Sequence, residues 1–129
     1  MEIAGLGFAG IAALVHVYIF YLESIAWTSE RARKIFGTGT VNEAAAQREL
    51  AFNQGFYNLF LAIVVFTGLV VYLLGHAEVG ATLVFAGAGS MVAAATVLIL
   101  SSPDKAAAAL KQGVIPLVGL VLLATSLAR

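Results

Sequence analysis

Four long apolar stretches constrain this 129-residue chain more than any other feature. They cover about Ile3–Trp27, Phe52–Leu74, Val79–Leu100 and Pro103–Leu127. About 20 apolar residues in a helix cross the hydrocarbon core of a bilayer. Inside that core the backbone must satisfy its own hydrogen bonds, so such stretches become helices. The sequence therefore reads as all-α: one integral membrane domain, a four-transmembrane-helix bundle with spans of about 3–27, 52–74, 79–100 and 103–127. Composition agrees, since 11% of the residues are charged and a soluble domain carries about 25%.

The ends of the stretches carry local signals. The fourth is purely apolar only from Gly113 to Ala128, which is short for a span. Ser102 as N-cap and Pro103 at the first helical position extend it backwards. Pro116 should remove the hydrogen bond to the Gln112 carbonyl and bend that helix. Before the second stretch, Thr40 and Glu43 stand at capping-box spacing. A helix from Val41 to Leu74 would be roughly 50 Å long, more than a bilayer. Its first turns, with Glu43, Arg48 and Glu49, should project into water or bend at Gly55.

Charge sets the expected threading. Arg31, Arg33, Lys34, Arg48, Lys105 and Lys111 flank the first and third loops, and Arg129 alone lies on the other side. By the positive-inside rule those loops face the cytoplasm and both termini face the outer side. The short turn holding His76 and Glu78 then lies outside. "MEIAGLGFAG" lacks the basic start of a signal peptide, so the first stretch should be retained as a helix. Formal net charge is zero, which gives no field to attract nucleic acid. The absence of cysteine removes disulfides and thiolate metal sites.

Chemistry must come from the polar residues inside the spans. "HVYIFYLESIAW" places His16 and Glu23 seven apart on one helical face, with Trp27 on the same face. An ionisable residue in a span costs on the order of 2.5–3.5 kcal/mol and normally faces the bundle interior. His16 and Glu23 are about 10 Å apart along the axis, too far for a direct hydrogen bond. Something should lie between them. "RELAFNQGFYNLF" offers Glu49, Asn53 and Tyr57 on one stripe and Gln54 and Asn58 on its neighbour. Gln112 of the fourth helix falls at a similar depth. The candidate site is thus Glu23 as acid or base with His16 as its partner, and Asn53, Gln54, Tyr57, Asn58, Gln112 and Trp27 as ligand-binding residues. Each of them alone also fits a structural role, because polar side chains commonly bond between helices. One histidine among amides is a poor ligand set, so no metal site is expected. No cofactor can be named.

"HVYIFYLESIAW", "KIFG", "NQGFYNLFLA" and "QGVIP" together resemble a family of small bacterial four-helix membrane proteins known as domain of unknown function 1304. The likeness covers nearly the whole chain and is weakest over the third stretch. It implies four helices, a location in the bacterial inner (plasma) membrane, and a shared site for His16, Glu23, Asn53, Gln54, Asn58 and Gln112. It carries no activity.

Three functions stand as expectations. The first is a cytoplasmic-leaflet pocket for a small molecule or lipid head group, with enzymatic use left open. The second is a small proton-coupled transporter, by analogy with small multidrug exporters that carry a glutamate in helix one. The third is a structural or accessory membrane subunit. Membrane lipid is an expected partner. Small-residue stripes at Gly5, Ala9 and Ala13 and at Ala86, Ser90 and Ala94 permit close helix packing or a homo-oligomer.

Overall fold

The computed structural model describes residues 1–129 and contains helices and turns with no strand. Helix α1 runs Glu2–Phe20 and continues through one wide π-type turn, Tyr21–Ile25. Two short helices come next, α2 (Glu30–Phe36) and α3 (Val41–Ala46). Three long helices complete the chain: α4 (Arg48–Leu73), α5 (Ala77–Ser101) and α6 (Ala106–Leu127), the last preceded by a 3₁₀ turn at Pro103–Lys105. The segments Glu2–Ile25, Arg48–Leu73, Ala77–Ser101 and Pro103–Leu127 are each long and apolar enough to cross a membrane. Four such helices suggest a membrane protein.

The long helices pack in the ring order α1–α4–α5–α6. Neighbours run antiparallel: Gly10 of α1 meets Leu69 of α4, whereas Phe20 meets Phe56. The termini lie together at one end. A Cβ built on Gly5 would stand 2.7 Å from the Leu123 amide, and one on Gly119 would stand 3.0 Å from the Ala9 amide. Glycine is needed there because two backbones touch. The Gly5, Ala9 and Ala13 stripe therefore serves the α1–α6 contact within the chain. The second stripe differs: Ala86, Ser90 and Ala94 are exposed, and α5 packs through Gly80, Val84, Gly87, Ala88, Met91 and Ala95.

The other end carries α2 and α3, and the chain there departs from the expected long helix. Thr40 caps α3 as expected: its hydroxyl accepts from the Glu43 amide at 3.2 Å and donates to the Glu43 carboxylate. The helix then stops at Gln47, with φ −104° and ψ 4°, and α4 starts afresh at Arg48. The break lies at Gln47 and not at Gly55. It turns α3 so that the Ala44 carbonyl accepts the Trp27 indole N–H at 2.8 Å. Trp27, Phe36, Ala44 and Ala51 form a small apolar cluster beneath α2 and α3. Gly55 has another use. Its missing side chain admits Ser24, whose hydroxyl donates to the Phe52 carbonyl at 2.7 Å.

The start of α6 is also adjusted. Ser102 makes no side-chain cap, and Pro103 opens the 3₁₀ turn instead of the α-helix proper. Pro116 is fully buried within a continuous α6.

Candidate functional site

A cavity of about 470 Å³ lies among the helices at the α2–α3 end. The end of α1, the π-type turn after it and the connection to α2 contribute His16, Glu23 and Trp27 in that order. The N-terminal half of α4 contributes Gln54 and Asn58, and α6 contributes Gln112. The sequence singles out these six residues, and the fold brings all six to one space. The other two, Asn53 and Tyr57, face away from it. They line a groove on the outside of α4 with Leu50, Gln54, Phe56 and Phe60, and Tyr57 is 66% exposed. A small depression lined by Glu23, Trp27, Leu50 and Gln54 lies between cavity and groove. Gln54 borders all three spaces.

Sequence reasoning missed the rest of the wall. Ala94, Val97, Leu98 and Ser101 of α5 line the cavity, as do Lys105 and Phe36. Helix α5 carries few polar residues at this end, so only its position in the ring reveals it. Ser101 is the one polar side chain that α5 adds to the lining.

Local structure explains how the charged group is held. In the π-type turn the Ala26 N–H reaches back five residues to the Tyr21 carbonyl, at 2.9 Å. The widened turn brings both Leu22 and Glu23 inward, where they are 2% and 8% exposed. Such turns are rare and occur often at functional sites. Asn58 Nδ2 donates to Glu23 Oε1 at 2.6 Å and to the Gln54 carbonyl at 3.2 Å. Both amide protons of Asn58 are thereby used, and Glu23 Oε2 has no such partner. His16 is 2% exposed, and its Nδ1 lies 2.8 Å from the Ala12 carbonyl. A carbonyl only accepts, so Nδ1 carries the proton and Nε2 is the ring nitrogen left for a further partner.

The arrangement can bind a polar group and exchange a proton with it, because a carboxylate and an imidazole share one space with amides. The chain holds no cluster of three or more His, Cys, Asp or Glu placed to hold a metal ion.

Residues 10–124 match a family described as "Protein of unknown function (DUF1304)". The match spans most of the chain, which belongs to this family. Searches of curated proteins and of solved structures gave no match.

Proposed function

We propose that this member of a family of unknown function is a bacterial inner-membrane protein, and that its cavity binds a small molecule or lipid head group from the cytoplasmic leaflet. One observation carries the reading: polar side chains from α1, α4, α5 and α6 line one cavity, and the chain orders them with hydrogen bonds from within. Burying ionisable groups away from water is expensive. Packing alone could have used the apolar residues found at the other end.

The side of the membrane rests on the basic residues. Arg31, Arg33, Lys34, Arg48, Lys105 and Lys111 all lie at the cavity end, which by the positive-inside rule faces the cytoplasm and puts both termini outside. A lipid suits the surroundings. The aromatic groove beside the cavity could hold an acyl chain while the head group reached past Gln54 to Glu23. In this reading Asn53 and Tyr57 are groove residues.

Native mass spectrometry of protein released from mild detergent tests the proposal. The expected result is a defined extra mass that is lost in Glu23→Gln and in His16→Ala. Bare protein in every preparation would sink it and favour a structural subunit, for which the Asn58–Glu23 and Ser24–Phe52 bonds would fix helix register.

A further inference from the structure

The side-chain donors of His16, Trp27, Asn58 and Ser101 in the cavity wall are all spent within the chain, and that bears on what the cavity accepts. The Trp27 N–H goes to the Ala44 carbonyl. Both Asn58 N–H protons go to Glu23 and the Gln54 carbonyl. The His16 Nδ1–H goes to the Ala12 carbonyl. The Ser101 hydroxyl donates to the Val97 carbonyl at 2.7 Å. What remains on these side chains can only accept: Glu23 Oε2 when ionised, His16 Nε2 of the neutral ring, Asn58 Oδ1 and Ser101 Oγ. Gln54 and Gln112 offer both roles and can adapt to either kind of ligand. Lys105 is exposed and supplies a positive charge to the same lining.

We infer that the cavity recognises a primary ammonium group, bound by the Glu23 carboxylate, His16 Nε2 and Asn58 Oδ1, on a ligand that also carries an anionic group for Lys105. The inference rests on the proposed binding function and names its ligand class. An ammonium has three N–H donors and no acceptor, the complement of the acceptors left on Glu23, His16 and Asn58. Charge-assisted hydrogen bonds to a carboxylate are the strong kind. Trp27 and Phe36, with ring centroids 5.4 Å apart, add aromatic surface that favours a cation. A neutral polyol can donate to the same acceptors, but with one hydrogen per hydroxyl and without the charge that strengthens a bond to a carboxylate. An anion would meet Glu23. An aminophosphate, either as a lipid head group or free in solution, offers a cation to Glu23 and an anion to Lys105, which line the same cavity.

The test uses the full-length protein in mild detergent, with added probes scored by native mass spectrometry. The probes are phosphatidylethanolamine, phosphatidylcholine and phosphatidylglycerol with identical acyl chains. Phosphatidylcholine keeps the cation but has no N–H. The expected result is retention of phosphatidylethanolamine about tenfold or more above the other two, the scale of one hydrogen bond to a charged group. Glu23→Gln should abolish the preference. Lys105→Gln, at an exposed position where folding is not in question, should weaken phosphatidylethanolamine retention severalfold. Water-soluble phosphoethanolamine identifies the source: displacement of the lipid means that the head alone suffices, and its failure means that a lipid is the ligand. Equal retention of phosphatidylglycerol or phosphatidylcholine would overturn the ammonium inference and leave a lipid site standing. So would an unchanged preference in both variants, or a bound divalent cation in place of the probe. No retention of any probe, in protein that still carries a native adduct of another class, would overturn the inference alone. No retention and no adduct would remove the binding function with it.

Discussion

The two ends of the molecule solve the burial of a helix bundle in opposite ways. At the end that holds the termini, backbones touch through Gly5, Gly119, Gly68 and Gly80. The hydroxyls there bond to their own helices: Thr67 to Ile63, Thr82 to Glu78 and Thr125 to Val121. The polar interaction between helices there is that of Tyr72 on α4 with Glu2 on α1. At the α2–α3 end, helices are held apart around a cavity, and polar groups bond across elements through Trp27–Ala44, Ser24–Phe52 and Asn58–Glu23. All three buried polar or charged residues, His16, Glu23 and Thr38, lie in this half. The difference teaches that one end is a clamp of backbone on backbone, whereas the other keeps its space and its polar groups.

The clamp should be the harder to damage without losing the fold. A Cβ on Gly68 would stand 2.8 Å from both the Gly80 carbonyl and the Val84 amide. Neither backbone can yield cheaply, so Gly68→Val should cost about 3 kcal/mol, the upper range for overpacking. Unfolding in a detergent titration would measure it, and a change under about 1 kcal/mol, the lower end of that range, would break the comparison. At the polar end, Asn58→Leu removes the donor from a buried carboxylate. It should cost about 2 kcal/mol and also abolish ligand retention, two effects that Gly68→Val would not separate.

A smaller change sharpens the contrast. Trp27→Phe keeps the ring but loses the N–H to Ala44, and should cost about 1 kcal/mol. The loss should be local: faster proteolysis between Gly37 and Thr40, with little shift in global unfolding. An equal loss throughout the molecule would mean that α2 and α3 belong to the clamp. Smallest of all, Asn53→Ala and Tyr57→Phe on the outer face of α4 should change stability by less than about 0.5 kcal/mol. A larger loss of stability would place them in the bundle's support.

The same contrast explains what the sequence could reveal. The long apolar helices were legible because length and hydropathy suffice to mark them. His16, Glu23, Gln54, Asn58 and Gln112 were legible as one group because helix periodicity and depth place them together. Asn53 and Tyr57 join that group in the sequence because their stripe neighbours the Gln54 and Asn58 stripe at the same depth. A lipid-facing surface and a packed surface use the same side chains, so pattern alone does not choose between neighbouring stripes. The π-type turn at Tyr21–Ile25 left no mark, since nothing in "YLESI" encodes an extra residue in the turn. The break at Gln47 was hidden for a related reason. "NEAAAQREL" is a good helix former throughout, and the contact of Ala44 with Trp27 that accompanies the break comes from tertiary packing. Helix α5 gives no such signal, because its contribution to the cavity is mostly alanine, valine and leucine.

The most direct test compares two positions on one face of α5. Ala94 lines the cavity, and Ala86, about two turns away, lies on the exposed surface beyond it. The chain has no cysteine, so Ala94→Cys and Ala86→Cys each introduce a single thiol. A membrane-impermeant maleimide would be added to inside-out and right-side-out vesicles. The account predicts that Ala94→Cys labels only from the cytoplasmic face, although it lies about 10 Å along the helix from Ser101, while Ala86→Cys stays unlabelled from either side. An unreactive Ala94→Cys, or one that labels only from the outer face, would contradict a polar cavity open to the cytoplasm.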